Sequence, residues 1–139
     1  DVAGISAYQR KYGYIAVTME SGTKSLVMRR AGGDGVTAFT SAPVPLRADV
    51  VYLRADVDFR EAADRASFAH SHDGSNWTWL GDTLRMQYDL AHFTGYRFAL
   101  FNYATAEPGG HVDVDWFRVS DTARLANPTY RQSQGAVHD

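Results

Sequence analysis

The chain has no cysteine, which excludes disulfides, thiolate zinc sites, CxxC redox chemistry and a cysteine nucleophile. It has no apolar run approaching the about 18 residues that a membrane helix needs, so no membrane partner is expected. It also lacks a block of like charge. The formal net charge is −2, the pI is near 6.2, and the basic residues are scattered along the sequence. Such a chain has no long-range field for a polyanion, which argues against nucleic acid as a partner. GxSxG, HExxH, P-loop and dinucleotide-binding patterns are all missing. Helical composition is confined to residues 61–65 (EAADR), about one turn, too short to propagate alone.

What is present is apolar and aromatic. Hydrophobic residues make up 45% of the 139 and aromatic residues 13%, enough to bury one core but short for two domains. The aromatic excess favours strands. Residues 4–19 (GISAYQRKYGYIAVTM) show two β-prone runs around a break at residues 10–13, the pattern of a hairpin. Residues 25–29 (SLVMR) give a third strand before a glycine-rich break at Gly32, Gly33 and Gly35. Residues 50–57 (VVYLRADV) alternate strictly, with Val51, Leu53, Ala55 and Val57 on one side, as in a strand with one buried face. Residues 66–70 lead through Asp73-Gly74, a hairpin-turn dipeptide, into a return strand over residues 77–80. Residues 96–103 (YRFALFNY) and 112–119 (VDVDWFRV) read as two late strands flanking an EPGG turn. Short strands at this spacing predict an all-β sandwich or barrel over residues 1–120, followed by a tail or linker over 121–139.

Glutamate is scarce. Glu20, Glu61 and Glu107 all fall in turns or the short insertion, whereas a glycosidase needs two carboxyls held rigidly on facing elements. Asp113 and Asp115 share one face of the predicted last strand, roughly 7 Å apart at two-residue spacing. Three readings stand for them: a carboxylate pair, one structural calcium ion completed by carbonyls from a loop near the chain start, or edge carboxylates bonded to a neighbouring turn. His70 and His72 have a spacing compatible with two metal ligands, but they flank a turn and lack a third ligand nearby, so solvated hairpin residues are expected. The aromatic residues carry the most useful chemistry, because sugar C–H faces stack on flat rings while adjacent polar groups take the hydroxyls. Tyr8, Gln9, Tyr12, Tyr88, Arg97, Asn102 and Tyr103 are the candidate carbohydrate-binding residues; Tyr14 lies among the same rings. The competing reading of such rings is core packing.

Residues 84–119, with HFTGYRFALFNYAT followed by GGxVDxDxFRV, resemble the C-terminal concanavalin A-like domain of family-forty-three glycoside hydrolases, the β-xylosidase and α-L-arabinofuranosidase group. AGISAYQRKYG at residues 3–13, VYLRADVDF at 51–59 and the SxDGxxWxxLG frame at 71–81 agree with it. The resemblance implies a jelly-roll sandwich of two antiparallel sheets, non-catalytic and secreted, beside a β-propeller that carries the catalytic acids. It implies either binding of xylan or arabinoxylan-type polysaccharide or a structural module that shapes the propeller's pocket. Trp77 matches the family's tryptophan, which implies a packing role, and Trp79 shares its strand face. In the family, strands precede the segment matched by residues 3–13. The sandwich is therefore expected to lack its first strands, leaving an open edge at the chain start for the catalytic propeller or another chain to complete.

Overall fold

The β2–β3 hairpin shows how local sequence sets this fold. Thr23 pairs with Glu20, leaving Ser21 and Gly22 as a two-residue loop, both with positive φ (50° and 77°). That geometry matches the right-handed twist of the flanking strands, and glycine adopts it without steric cost.

In a computed structural model, residues 1–8, 11–32, 37–58, 65–86, 97–120 and 130–132 are described. The expectations for Gln9, Tyr88 and a helical turn at 61–64 lie outside them. The strands are β1 (Val2–Tyr8), β2 (Tyr12–Glu20), β3 (Thr23–Ala31), β4 (Thr37–Thr40), β5 (Val44–Pro45), β6 (Tyr52–Asp58), β7 (Arg65–Ser71), β8 (Trp77–Trp79), β9 (Leu84–Arg85), β10 (Arg97–Tyr103) and β11 (Tyr130–Gln132). No helix occurs among the described residues. One sheet runs β10-β1-β2-β3-β4 with β5 beside β3; the other runs β11-β8-β7-β6 with β9 beside β7. All pairs are antiparallel except β8 with β11. The fold is thus the expected all-β sandwich.

The core lies between the sheets. Ile15, Leu26 and Met28 of the first sheet meet Ala66, Phe68 and Leu84 of the second, and Leu46, Leu80 and Met86 fill in from the connections. Burying each large side chain contributes about 1.5–3 kcal/mol. The alternation read in residues 50–57 has its physical cause here, since Leu53, Ala55 and Val57 pack on this core while Arg54 and Asp56 face outward and pair with each other.

Three expectations are corrected. The open edge was expected at the chain start, but β1 is flanked on both sides, by β2 and by β10. Its second partner is about a hundred residues away in sequence, a pairing that local pattern does not reveal; among the described residues the outermost strand on that side is β10. Residues 112–119 form no strand: they alternate, yet they pair with neither sheet and are exposed throughout. Sheet structure also continues past residue 120, because β11 runs parallel to β8. Its three residues carry no readable alternation.

Candidate functional site

The outward face of the first sheet gathers aromatic rings from three strands. Alternation puts Tyr8 of β1, Tyr12 and Tyr14 of β2, and Phe101 and Tyr103 of β10 on the side opposite the main core. Between β2 and β10, the β1 residues that precede Tyr8 on this face are Val2, Gly4 and Ser6. Those small residues let the flanking rings lean together, and Tyr14 meets Phe101 edge to face at 4.9 Å. A Cβ at Gly4 would collide with the β2 backbone at Ile15 and Ala16. The row continues from Tyr8 to Tyr12 (5.7 Å), Tyr12 to Tyr14 (6.4 Å) and Phe101 to Tyr103 (6.0 Å).

The middle of the row is anchored and its ends are open. Tyr14 is buried with Val2 and Ala16 in a small second cluster, against which Tyr12 and Phe101 pack. Tyr8 at one end is 56% exposed and Tyr103 at the other 44%. Val2, the register partner of Tyr103, lies six residues along β1 from Tyr8, so the ends are roughly 20 Å apart. Arg29 Nη1 donates to Tyr14 Oη at 3.4 Å, and Tyr14 Oη shares a second bond with Tyr103 Oη at 3.4 Å. Burial, then the hydrogen bond to Tyr14, push the Tyr103 hydroxyl up to about 12 against the opposing pull of Arg29. It is a neutral donor and acceptor at any physiological pH. The face therefore combines flat apolar rings with hydroxyls and a guanidinium, the chemistry that a sugar chain presents in complement.

Of the residues expected to bind carbohydrate, Tyr8, Tyr12 and Tyr103 fall in the row, and Arg97 opens β10 opposite Tyr8 on the same face. Asn102 does not join them: paired with Ala3, it sits on the opposite face of β10. Phe101 and Arg29 were missed. Alternation in residues 96–103 assigns Phe101 to the face of Tyr103, but the register that brings it to Tyr14 is long-range. Asp113 and Asp115 are exposed in the unpaired stretch, and no group of three His, Asp or Glu side chains able to hold a metal occurs among the described residues. His70 is no solvated hairpin residue. Its register with Leu53 and Thr78 aims it inward, where it is buried with neither ring nitrogen hydrogen-bonded. Trp77 is buried, with Arg54 over its ring at 5.4 Å, and Trp79 is half-buried on the same outward face of the second sheet.

Residues 1–120 match the family described as the β-xylosidase C-terminal concanavalin A-like domain. A β-xylosidase of Formosa agariphila is 33% identical over 66 residues, covering 47% of this chain and 11% of that protein. A solved structure described as a bifunctional GH43-CE of Bacteroides eggerthii superimposes with a TM-score of 0.72 at 50% identity, covering 78% of this chain and 14% of that one. The chain thus spans about a tenth to a seventh of the length of these relatives. Fold, motifs and family match agree, and the chain belongs to the β-xylosidase C-terminal concanavalin A-like domain family.

Proposed function

We propose that the chain is a non-catalytic accessory domain of a secreted glycoside hydrolase and that it holds xylan or arabinoxylan-type polysaccharide along the aromatic row. The observation that carries this reading is the row itself: five rings on one outward face, packed in the middle and exposed at both ends. Rings immobilised by their neighbours lose little conformational freedom when a ligand arrives, which favours binding. The non-catalytic part of the reading is supported by the carboxylates. Glu20 and Glu107 are both exposed, Glu20 at the end of β2 beside the hairpin turn and Glu107 in a connection, whereas sugar hydrolysis demands two carboxyls held facing each other across a cleft.

Affinity electrophoresis on xylan, arabinoxylan and β-glucan tests the proposal. Retardation on the first two is expected, with Tyr8→Ala plus Tyr103→Ala restoring free mobility; unchanged mobility of the native chain on all three would overturn it. One observation favours a second reading, a module that packs on a catalytic propeller. The core-facing side of β10 carries Phe98 and Leu100, which are 42% and 46% exposed; among the described residues the second sheet ends at β6. Deleting the domain from a parent enzyme would then lower stability or activity on short substrates.

A further inference from the structure

The two exposed ends of the aromatic row are joined by a floor of small side chains. On the outward face of the first sheet, β10 places Ala99 between Arg97 and Phe101, and β1 places Gly4 and Ser6 between Val2 and Tyr8. Register sets Phe101 beside Gly4 and Ala99 beside Ser6. From the level of Phe101 to that of Tyr8, these two strands therefore raise nothing larger than a serine side chain. Ser6 keeps its hydroxyl down, donating to the Gly13 carbonyl at 2.9 Å. β2 lines the other side of the floor with Tyr12 and Tyr14.

Ring exposure follows the same division. Tyr8 and Tyr103 are exposed, Tyr12 and Phe101 are half-buried, and Tyr14 is buried. A ligand stacked on one end ring reaches the second exposed ring only by crossing the floor. A pyranose with its glycosidic bond advances an extended chain by roughly 5 Å at ordinary single-bond lengths, so about four sugars cover the roughly 20 Å between the ends. The centroid steps along the row, 5.7, 6.4, 4.9 and 6.0 Å, are of the same size as one sugar.

We infer that the row selects ligands by length: it takes a run of about four consecutive sugars, with Tyr8 and Tyr103 as the terminal stacking positions, and holds shorter oligosaccharides weakly. The inference rests on the proposed sugar binding and adds the length of the ligand to it. Its physical basis is bivalency. Once a chain is stacked on one end ring, a later sugar of the same chain meets the other ring at high effective concentration. The rings between are already packed against one another, so little further ordering opposes the second contact. A disaccharide occupies one end and gains nothing from the other. A domain of this kind stays on polymer and releases the short products of hydrolysis.

The test is titration calorimetry of the full chain with xylobiose, xylotriose, xylotetraose, xylopentaose and xylohexaose, and with polymeric xylan. Affinity is expected to rise at least about tenfold from the disaccharide to the tetra- or pentasaccharide and to change by less than about twofold beyond it. Tyr8→Ala and Tyr103→Ala, made singly, are each expected to bind xylohexaose no better than the native chain binds xylobiose. Their affinity for xylobiose should stay within about twofold of native, because the other end ring is untouched; a variant that merely misfolds loses both ligands. The oligosaccharide series alters only the ligand, so it stands whether or not a variant folds. Equal affinity for all five oligosaccharides, a rise that continues undiminished to the hexasaccharide, or binding to polymer alone overturns the length selection and leaves the sugar-binding proposal standing. Binding to none of the ligands, xylan included, overturns the sugar-binding proposal and the length selection with it.

Discussion

Asp73 is fully exposed, yet its carboxyl is held well below the usual carboxylate range. The backbone N–H and side chain of Asn76 contribute most, followed by the backbone N–H of Ser75 and the hydroxyl of Ser71. Ser71 Oγ in turn accepts from the N–H groups of Asp73 and Gly74, so two short side chains organise the whole β7–β8 turn. The stability this carboxylate contributes is present above its ordinary pKa and is lost as pH falls from there through the depressed native value. Asp73→Ala is expected to lower Tm at pH 7 and to make the gap to the native protein narrow below about pH 4. Thermal melts across pH 7 to 2 check it, and a constant gap would refute the assignment. Gly81, four residues beyond the start of β8, is constrained differently. Its φ is 77°, and an added Cβ would lie 2.7 Å from the Cβ of Met28 in the core. Gly81→Ala should cost about 1–3 kcal/mol in chemical denaturation, from strain alone before the clash is relieved.

At the scale of elements, legibility followed the range of the interactions. β1, β2, β3, β6, β7, β8 and β10 each carry apolar alternation or a turn dipeptide at their boundary, and they lie within about two residues of the positions read from sequence. β4, β5, β9 and β11 are two to four residues long and owe their conformation to a neighbour rather than to their own pattern. Residues 112–119 show the converse, period-two alternation without a strand, because alternation states which face is apolar and does not supply a partner. The same limit governed the site. Tyr8, Tyr12, Arg97 and Tyr103 were recognisable as types, while their assembly with Tyr14, Phe101 and Arg29 depended on the β10–β1–β2 register. The flank of the sandwich beside β10 is left apolar, with Phe98 and Leu100 half-exposed, and Val112, Val114 and Trp116 are also exposed in the unpaired stretch. Phe98→Ser plus Leu100→Ser should lower the stability of the isolated chain by about 1 kcal/mol per site, half the cost of losing a fully buried side chain, while reducing hydrophobic-dye binding and self-association. In a parent enzyme whose catalytic domain covers this flank, the same pair would lower Tm sharply, which separates the packing role from the sugar-binding role.

Across the whole molecule, two sheets share one core, and His70 is a buried titratable group inside it. It lies on the inward face of β7 with Ala66 and Phe68, opposite Leu53 on one side and Thr78 on the other, and its ring is 6.2 Å from that of His72. Burial and then the neighbouring His72 lower its pKa, because an imidazolium there would have neither water nor a hydrogen-bond partner. The unfolded chain takes up a proton near pH 6.5 and the folded chain only at lower pH. Over that window the unfolded state binds more protons, and stability falls as pH falls. His70→Phe keeps an inward ring beside Phe68 and removes the titration. Its Tm is expected to track that of the native chain above pH 7, then to exceed it increasingly between pH 6.5 and 5, a window separate from the one governed by Asp73. Parallel Tm curves for the two proteins across that window would show that His70 is not the group through which mild acid loosens the sandwich.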